Sequence, residues 1–383
     1  MKQYITYKEH IFENIPVDIK TFCINNGLEG TEVFFDDIVP RTNKLFSDNN
    51  EKTDIINKLT ELQVKRLHCS YWAYPTSFLT KSHFNELIER FGSIDKVKEY
   101  YCDLTGKHIW DRWQQEYEIA TAMNVQAYTF HLIDYAPIDG EWEFTIPISE
   151  IKQAMIYMIQ QFILNLIEDD LLTEKSPIIE IENAGWGLEY GTQTNCDFID
   201  IYRQLYDPLN KVKIGWDINH ILHATGKRTD NGIAYFMLPD EEKTNEMVDL
   251  EKEYVQKHHK FAYEWITLNI LDPQIIDKIS AIHLSDCKLK DIEYFIKGKL
   301  QPPYSDEIDK LPTWEEKEEY GVNIVLTHYD SHVPLQKGIL LGTDIKFLLN
   351  EILKANQDYV ILHELKNSNE IQIDLTWQKS LID

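Results

Sequence analysis

The stretch Pro177-Ile178-Ile179-Glu180-Ile181-Glu182-Asn183-Ala184-Gly185-Trp186-Gly187 reads as a short strand that runs into a turn. Three isoleucines favour extended backbone, and the period of two puts Glu180 and Glu182 on the same face. Seven other runs share this β-rich character: Lys2–Tyr7, Thr31–Phe35, Val64–Ser70, Val125–His131, Val212–Asp217, Ser280–Ser285 and Tyr359–Glu364. Between them the apolar residues take helical spacing. Ile55, Ile56, Leu59 and Leu62 form one such set, and Ile151, Met155, Met158, Phe162 and Leu166 line one face of a longer run. Eight strands alternating with helices predict an α/β chain folded as a single (β/α)8 TIM barrel spanning 1–383. An open doubly wound sheet is the competing arrangement, but no Gly-rich phosphate loop follows an early strand.

Composition agrees with one large folded unit. The chain has 383 residues, of which 43% are hydrophobic, and 38 Lys+Arg stand against 64 Asp+Glu for a net charge of −26. Bulk electrostatic attachment to nucleic acid or an anionic membrane is excluded by that sign, since it needs clustered Lys and Arg. Neither a secretory signal nor a run of about 18 apolar residues is encoded, so the expected location is cytoplasmic. Cys23, Cys69, Cys102, Cys196 and Cys287 are scattered and form no C-x-x-C pair. They read as reduced packing thiols.

Six of the eight strands end on, or just before, a group that binds metals: His68, His131, Glu182, Asp217 with His220, His283, and Glu364. Barrel active sites are built at those strand ends. Imidazoles and carboxylates are ligands for Zn2+, Mn2+ or Fe2+, and a carboxylate can bridge two ions. Two inward acids on one strand, Glu180 and Glu182, need cations or protons. A lysine partner is the plainer explanation, yet none lies near in sequence. Asp330-Ser331-His332 adds a D-x-H pair with a spacing that lets both side chains reach one ion.

Taken together, these motifs resemble the endonuclease IV branch of the xylose isomerase-like barrels, a family that includes sugar-phosphate isomerases and epimerases. His68-Cys69-Ser70-Tyr71 resembles the family's H-x-S-Y, Phe130-His131 its F-H, and Glu182 to Gly187 its E-N-(T)-A-G-x-G. Asp217-x-x-His220, His283-Leu284-Ser285-Asp286-Cys287-Lys288 and the D-x-H-x-x-L-x-x-G of 330–338 follow in the family's order, and Glu364 closes the set. The resemblance implies up to three divalent ions, Zn2+ or Mn2+. One would take His68, His131 and Glu182; a second would share Glu182 and add Asp217, His283 and Glu364; a third would take His220, Asp330 and His332.

The implied activity is hydrolysis of a phosphoester by a metal-activated hydroxide. The alternative is a sugar or sugar-phosphate isomerase or epimerase, for which Glu182, Asp217, His283 and Glu364 suffice, with Glu182 and Glu364 as acid/base groups. His68, His131 and the D-x-H pair are the surplus that favours hydrolysis. Tyr71, Trp186 and Lys288 are the expected substrate contacts. The expected partner is a small phosphoester or sugar-type substrate. Duplex nucleic acid is disfavoured, because insertions at about 222–279 and 287–329 would emerge near the mouth and the second is acidic and aromatic, with Pro302, Pro303, Tyr304 and 315–319. The sequence leaves the oligomeric state open.

Overall fold

The computed structural model describes residues 1–13, 15–41, 46, 49–132, 148–184, 192–224, 262–297, 300 and 302–382. Eight parallel strands close in sequence order into a barrel: β1 Gln3–Thr6, β2 Gly30–Phe34, β3 Val64–His68, β4 Ala127–His131, β5 Ile178–Glu182, β6 Val212–Asp217, β7 Ile279–Leu284 and β8 Val360–His363. Closure is made by β1 against β8, with Tyr4 opposite Leu362. Every strand read from the sequence is present, each with its ends shifted by two residues or fewer. Such shifts are expected where the ladder frays, as at Glu364, which lies one residue past β8 but still donates its N–H to Leu284.

Helices pack around the outside. The helix Ile148–Glu168 buries the predicted stripe of Ile151, Met155, Met158, Phe162 and Leu166 in the main core. The β3–β4 connection carries helices Lys81–Phe91, Ile94–Tyr101 and Lys107–Ala122. Between β7 and β8 run Leu289–Lys297, Tyr304–Ile308, Trp314–His328 and Gly342–Ala355. The segment 287–329 has its own small core of Tyr294, Leu300, Ile308 and Val325, and Tyr294 stacks on Tyr329 at 4.3 Å. Of the 222–279 segment, residues 225–261 lie outside the described residues; 262–270 are helical. No described helix is long and apolar enough to cross a membrane, and all five cysteines are free.

Inside the barrel the layers are not all apolar. Glu32, Arg66, Thr129 and Glu180 lie two residues before Phe34, His68, His131 and Glu182 on their strands, so they form the layer beneath. Arg66 donates from Nε to Glu32 at 3.2 Å and from Nη2 to Glu180; Ser280 and Thr129 also donate to Glu180. The basic partner of the inward acid pair is therefore an arginine from β3, 114 residues away in sequence. Only Glu182 is left to face the mouth.

Candidate metal centre

The upper layer gathers donors from six strands. His68 is fully buried, stacks on Phe34 at 4.0 Å and directs Nδ1 to the Cys69 carbonyl at 3.0 Å, which fixes Nε2 toward the barrel axis. Burial pushes its pKa down, so the ring stays a neutral donor. Its Nε2 lies 3.6 Å from Glu182 Oε2, and His131 Nε2 lies 3.1 Å from the same oxygen.

Glu182 spans two groups. Oε1, its second oxygen, faces His283 Nδ1 at 3.4 Å and His220 Nδ1 at 3.5 Å. Burial opposes ionisation of this carboxyl, but His131 and His283 hold it well below the ordinary range. His283 in turn sits 3.1 Å from Glu364 Oε2. Asp217 ends β6 and opens the helix Ile218–Ala224, where its Oδ1 accepts the N–H groups of Asn219 and His220 at 2.7 and 3.3 Å. The one-turn spacing brings His220 Nδ1 to 3.3 Å from Asp217 Oδ2 and 2.9 Å from the Asn183 carbonyl. Burial lowers the His220 pKa to about 3. For Asp217, burial and then Glu364 push the carboxyl well up.

On the far side, His332 adopts φ +35°, a left-handed conformation uncommon for a residue with a side chain. The loop is held by paired backbone hydrogen bonds between Asp286 and Val333 and by Ser285 Oγ, 2.9 Å from His332 Nδ1. His332 Nε2 lies 3.0 Å from Asp330 Oδ1.

Four sets of donor atoms within 4.8 Å of one another result: His68, His131 and Glu182; Glu182, Asp217, His283 and Glu364; Asp217, His220 and His332; and, in the layer beneath, Glu32, Glu180 and His283, whose two acids already share Arg66. The first two coincide with two of the expected sets. In the third, Asp217 stands where Asp330 was expected, and Asp330 Oδ1 lies 3.0 Å from the same His332 Nε2. His68 Nε2, Glu182 Oε1 and Asp217 Oδ2 are buried and make no hydrogen bond. An unsatisfied buried polar atom is costly, and these three belong to donor sets gathered at neighbouring strand ends, so they fit divalent cations by chemistry and by geometry.

The remaining expected contacts fall elsewhere. Tyr71 is half-buried against the main core, with its N–H on Asp36 and its carbonyl on Arg41. Lys288 has an exposed side chain, while its N–H donates to Asp291 and Ser331. Trp186 lies outside the described residues. Trp216 and Trp72 are core residues, Trp216 packing edge-on to Phe198. Sequence reasoning missed Lys366, which is largely buried, with 16% of its side chain exposed and Nζ 2.7 Å from Glu364 Oε1 and 3.4 Å from His332 Nε2. Its signal was the same-face spacing after Glu364 in Glu364-Leu365-Lys366.

No family model and no curated protein matches this chain. Solved structures do. A D-tagatose 3-epimerase-like protein superposes with a TM-score of 0.52 at 13% identity, covering 100% of this chain and 97% of the other. Endonuclease IV from Thermus thermophilus gives 0.48 at 11% identity (100% and 97%), and D-psicose 3-epimerase from Clostridium cellulolyticum gives 0.49 at 11% (100% of each). At these identities the likeness speaks to fold.

Proposed function

For a chain folded as a xylose isomerase-like barrel, with the donor sets described above at its strand ends, we propose a divalent-metal-dependent enzyme that hydrolyses a phosphoester. The observation that carries this reading is the division of Glu182. One oxygen serves the His68–His131 side and the other the His283 side, and Asp217 likewise belongs to two donor sets. Carboxylates shared in this way are what a multinuclear centre requires. A single ion would be served by Glu182, Asp217, His283 and Glu364 alone.

His68, His131 and Glu182 would hold one ion, and Glu182, Asp217, His283 and Glu364 a second. Ions so held supply Lewis acidity and positive charge where water attacks phosphorus and the ester oxygen departs. The protein's share is placement. The Cys69 carbonyl sets the His68 tautomer, Asn183 orients His220, and Glu180 lies 3.5 Å behind His283 Nε2. In the net reaction water's oxygen forms the new P–O bond, the ester P–O bond breaks, and the proton from water leaves to solvent or to the departing alkoxide.

The same pair Glu182 and Glu364, both within 3.4 Å of His283 Nδ1, is also what an isomerase would use to move a proton beside a sugar carbonyl. One comparison separates the two readings. Protein reconstituted with Mn2+ or Zn2+ is expected to bind at least two ions and to cleave an activated phosphodiester such as bis(p-nitrophenyl) phosphate. Chelation should abolish the rate and Glu182→Gln should lower it by roughly a hundredfold or more, as expected for a shared ligand. One bound ion, with interconversion of ketoses and no phosphoester cleavage, would transfer the assignment to the isomerases.

A further inference from the structure

The centre has an internal cation. Lys366 Nζ sits 2.7 Å from Glu364 Oε1 and 3.4 Å from His332 Nε2, on a side chain that is mostly but not wholly buried. Asp330 Oδ1 lies 3.0 Å from the same His332 Nε2 that Lys366 approaches, so the ammonium and the Asp330 carboxylate meet at one imidazole nitrogen. The imidazole of His332 leaves little choice of donor atom. Its Nδ1 is engaged by Ser285 Oγ, so an ion bound by His332 would be bound through Nε2, the atom that Lys366 approaches.

We propose that the Lys366 ammonium is a built-in third cation, occupying the place beside Glu364, Asp330 and His332 where an ion would sit, so that the wild-type centre holds two divalent ions. The inference rests on the multinuclear reading above. Charge balance supports it. With ions bound in place of protons, Glu182, Asp217, Asp330 and Glu364 would supply four negative charges; two dications and the ammonium leave one positive charge over, which a single phosphodiester anion neutralises. Three dications beside the ammonium would leave three, in a buried site where like charges repel strongly. The ammonium is also fixed by the chain, so the substrate would meet one cation that chelators cannot remove.

Metal counting tests this without an activity measurement. Chelator-stripped protein is reloaded with Mn2+ or with Zn2+, freed of excess and analysed for bound metal. Wild type is expected to saturate at two ions per chain, and Lys366→Met, of similar length but uncharged, at three. Three ions in wild type would overturn the inference and leave the hydrolase reading standing. A folded Lys366→Met that stops at two would overturn it as well. One ion in wild type would instead sink the multinuclear reading itself. Should the Met variant not fold, His332→Ala serves: a count unchanged at two is expected, and a fall to one would overturn the assignment of His332 to the ammonium.

Discussion

Single residues explain why the site motifs carry the amino acids they do. Gly338 ends the motif that begins at Asp330, and a Cβ there would lie 2.2 Å from the Cys287 carbonyl oxygen and 2.6 Å from Asp286 Cγ. The close approach lets Asp286 accept backbone N–H groups from Cys287, Gln336, Gly338, Ile339 and Leu340. Gly338→Ala must move backbone rather than a flexible side chain, so a loss of about 3 kcal/mol is expected, at the upper end for overpacking. Urea unfolding measures it; a change under about 0.5 kcal/mol, the range of neutral surface substitutions, would refute this account. The same scale shows what the sequence could and could not disclose. Strand-end His and acidic residues announce themselves by type and parity. Glu180 and Glu182 have the same type and the same parity, yet Glu180 pairs with Arg66 while Glu182 lies against three strand-end histidines, His68, His131 and His283. Which acid faces which layer depends on a partner 114 residues away, and local pattern does not encode that. Lys366 escaped for a related reason: a lysine past a strand end reads as solvated until the barrel closes over it.

At the level of the strand, alternation made the barrel legible. All eight strands and the apolar face of Ile148–Glu168 follow from period two and period 3.6 in a chain with few breakers. The polar layer formed by β2, β3, β4 and β5 was hidden, because an inward Arg66 looks like any charged strand residue. That layer makes a pH prediction. Burial raises the Glu32 pKa to about 7 even though His283 and then Arg66 oppose the rise; Glu180, which shares the guanidinium and is itself held down to about 2 by Arg66 and His283 against the cost of burial, adds to it. Between the ordinary carboxylate value near 4.5 and about 7, folded protein keeps a proton on Glu32 that unfolded protein releases. Its stabilising contribution is therefore complete below pH 4.5 and is lost as pH rises through 7. Glu32→Gln keeps the shape and removes the titration. Relative to wild type it should gain up to about 3 kcal/mol between pH 4.5 and 8, from a shift of that size at about 1.4 kcal/mol per pKa unit. Denaturant unfolding at three pH values checks this, and parallel curves for the two proteins would sink it.

Across the whole molecule the decisive quantity is charge. The net −26 divides into acids that the centre would neutralise and a larger surplus that it would not. Part of that surplus is carried by 287–328, where Asp306, Glu307, Asp309, Glu316 and Glu319 lie on or beside the helices Tyr304–Ile308 and Trp314–His328, in the same β7–β8 connection as Asp330 and His332. Duplex DNA carries one negative charge per about 1.7 Å of axis, and proteins that hold it do so by neutralising several phosphates with Lys and Arg. A barrel whose Asp330–His332 loop is joined to an acidic helical segment offers the opposite field. The expected substrate is accordingly a small phosphoester whose single charge the centre itself can balance. Titrating a labelled duplex bearing an abasic site, at about 20 mM salt where electrostatic binding is strongest, should give no saturable binding at micromolar protein, with or without Mn2+. Saturable binding that weakens steeply as salt is raised would show that a basic surface overrides the net charge, and would reopen nucleic acid as the substrate. The control is a small phosphodiester in the same buffer, which the metal-loaded protein should turn over; cleavage there without duplex binding places selectivity in the long-range field and leaves the chemistry to the donor cluster.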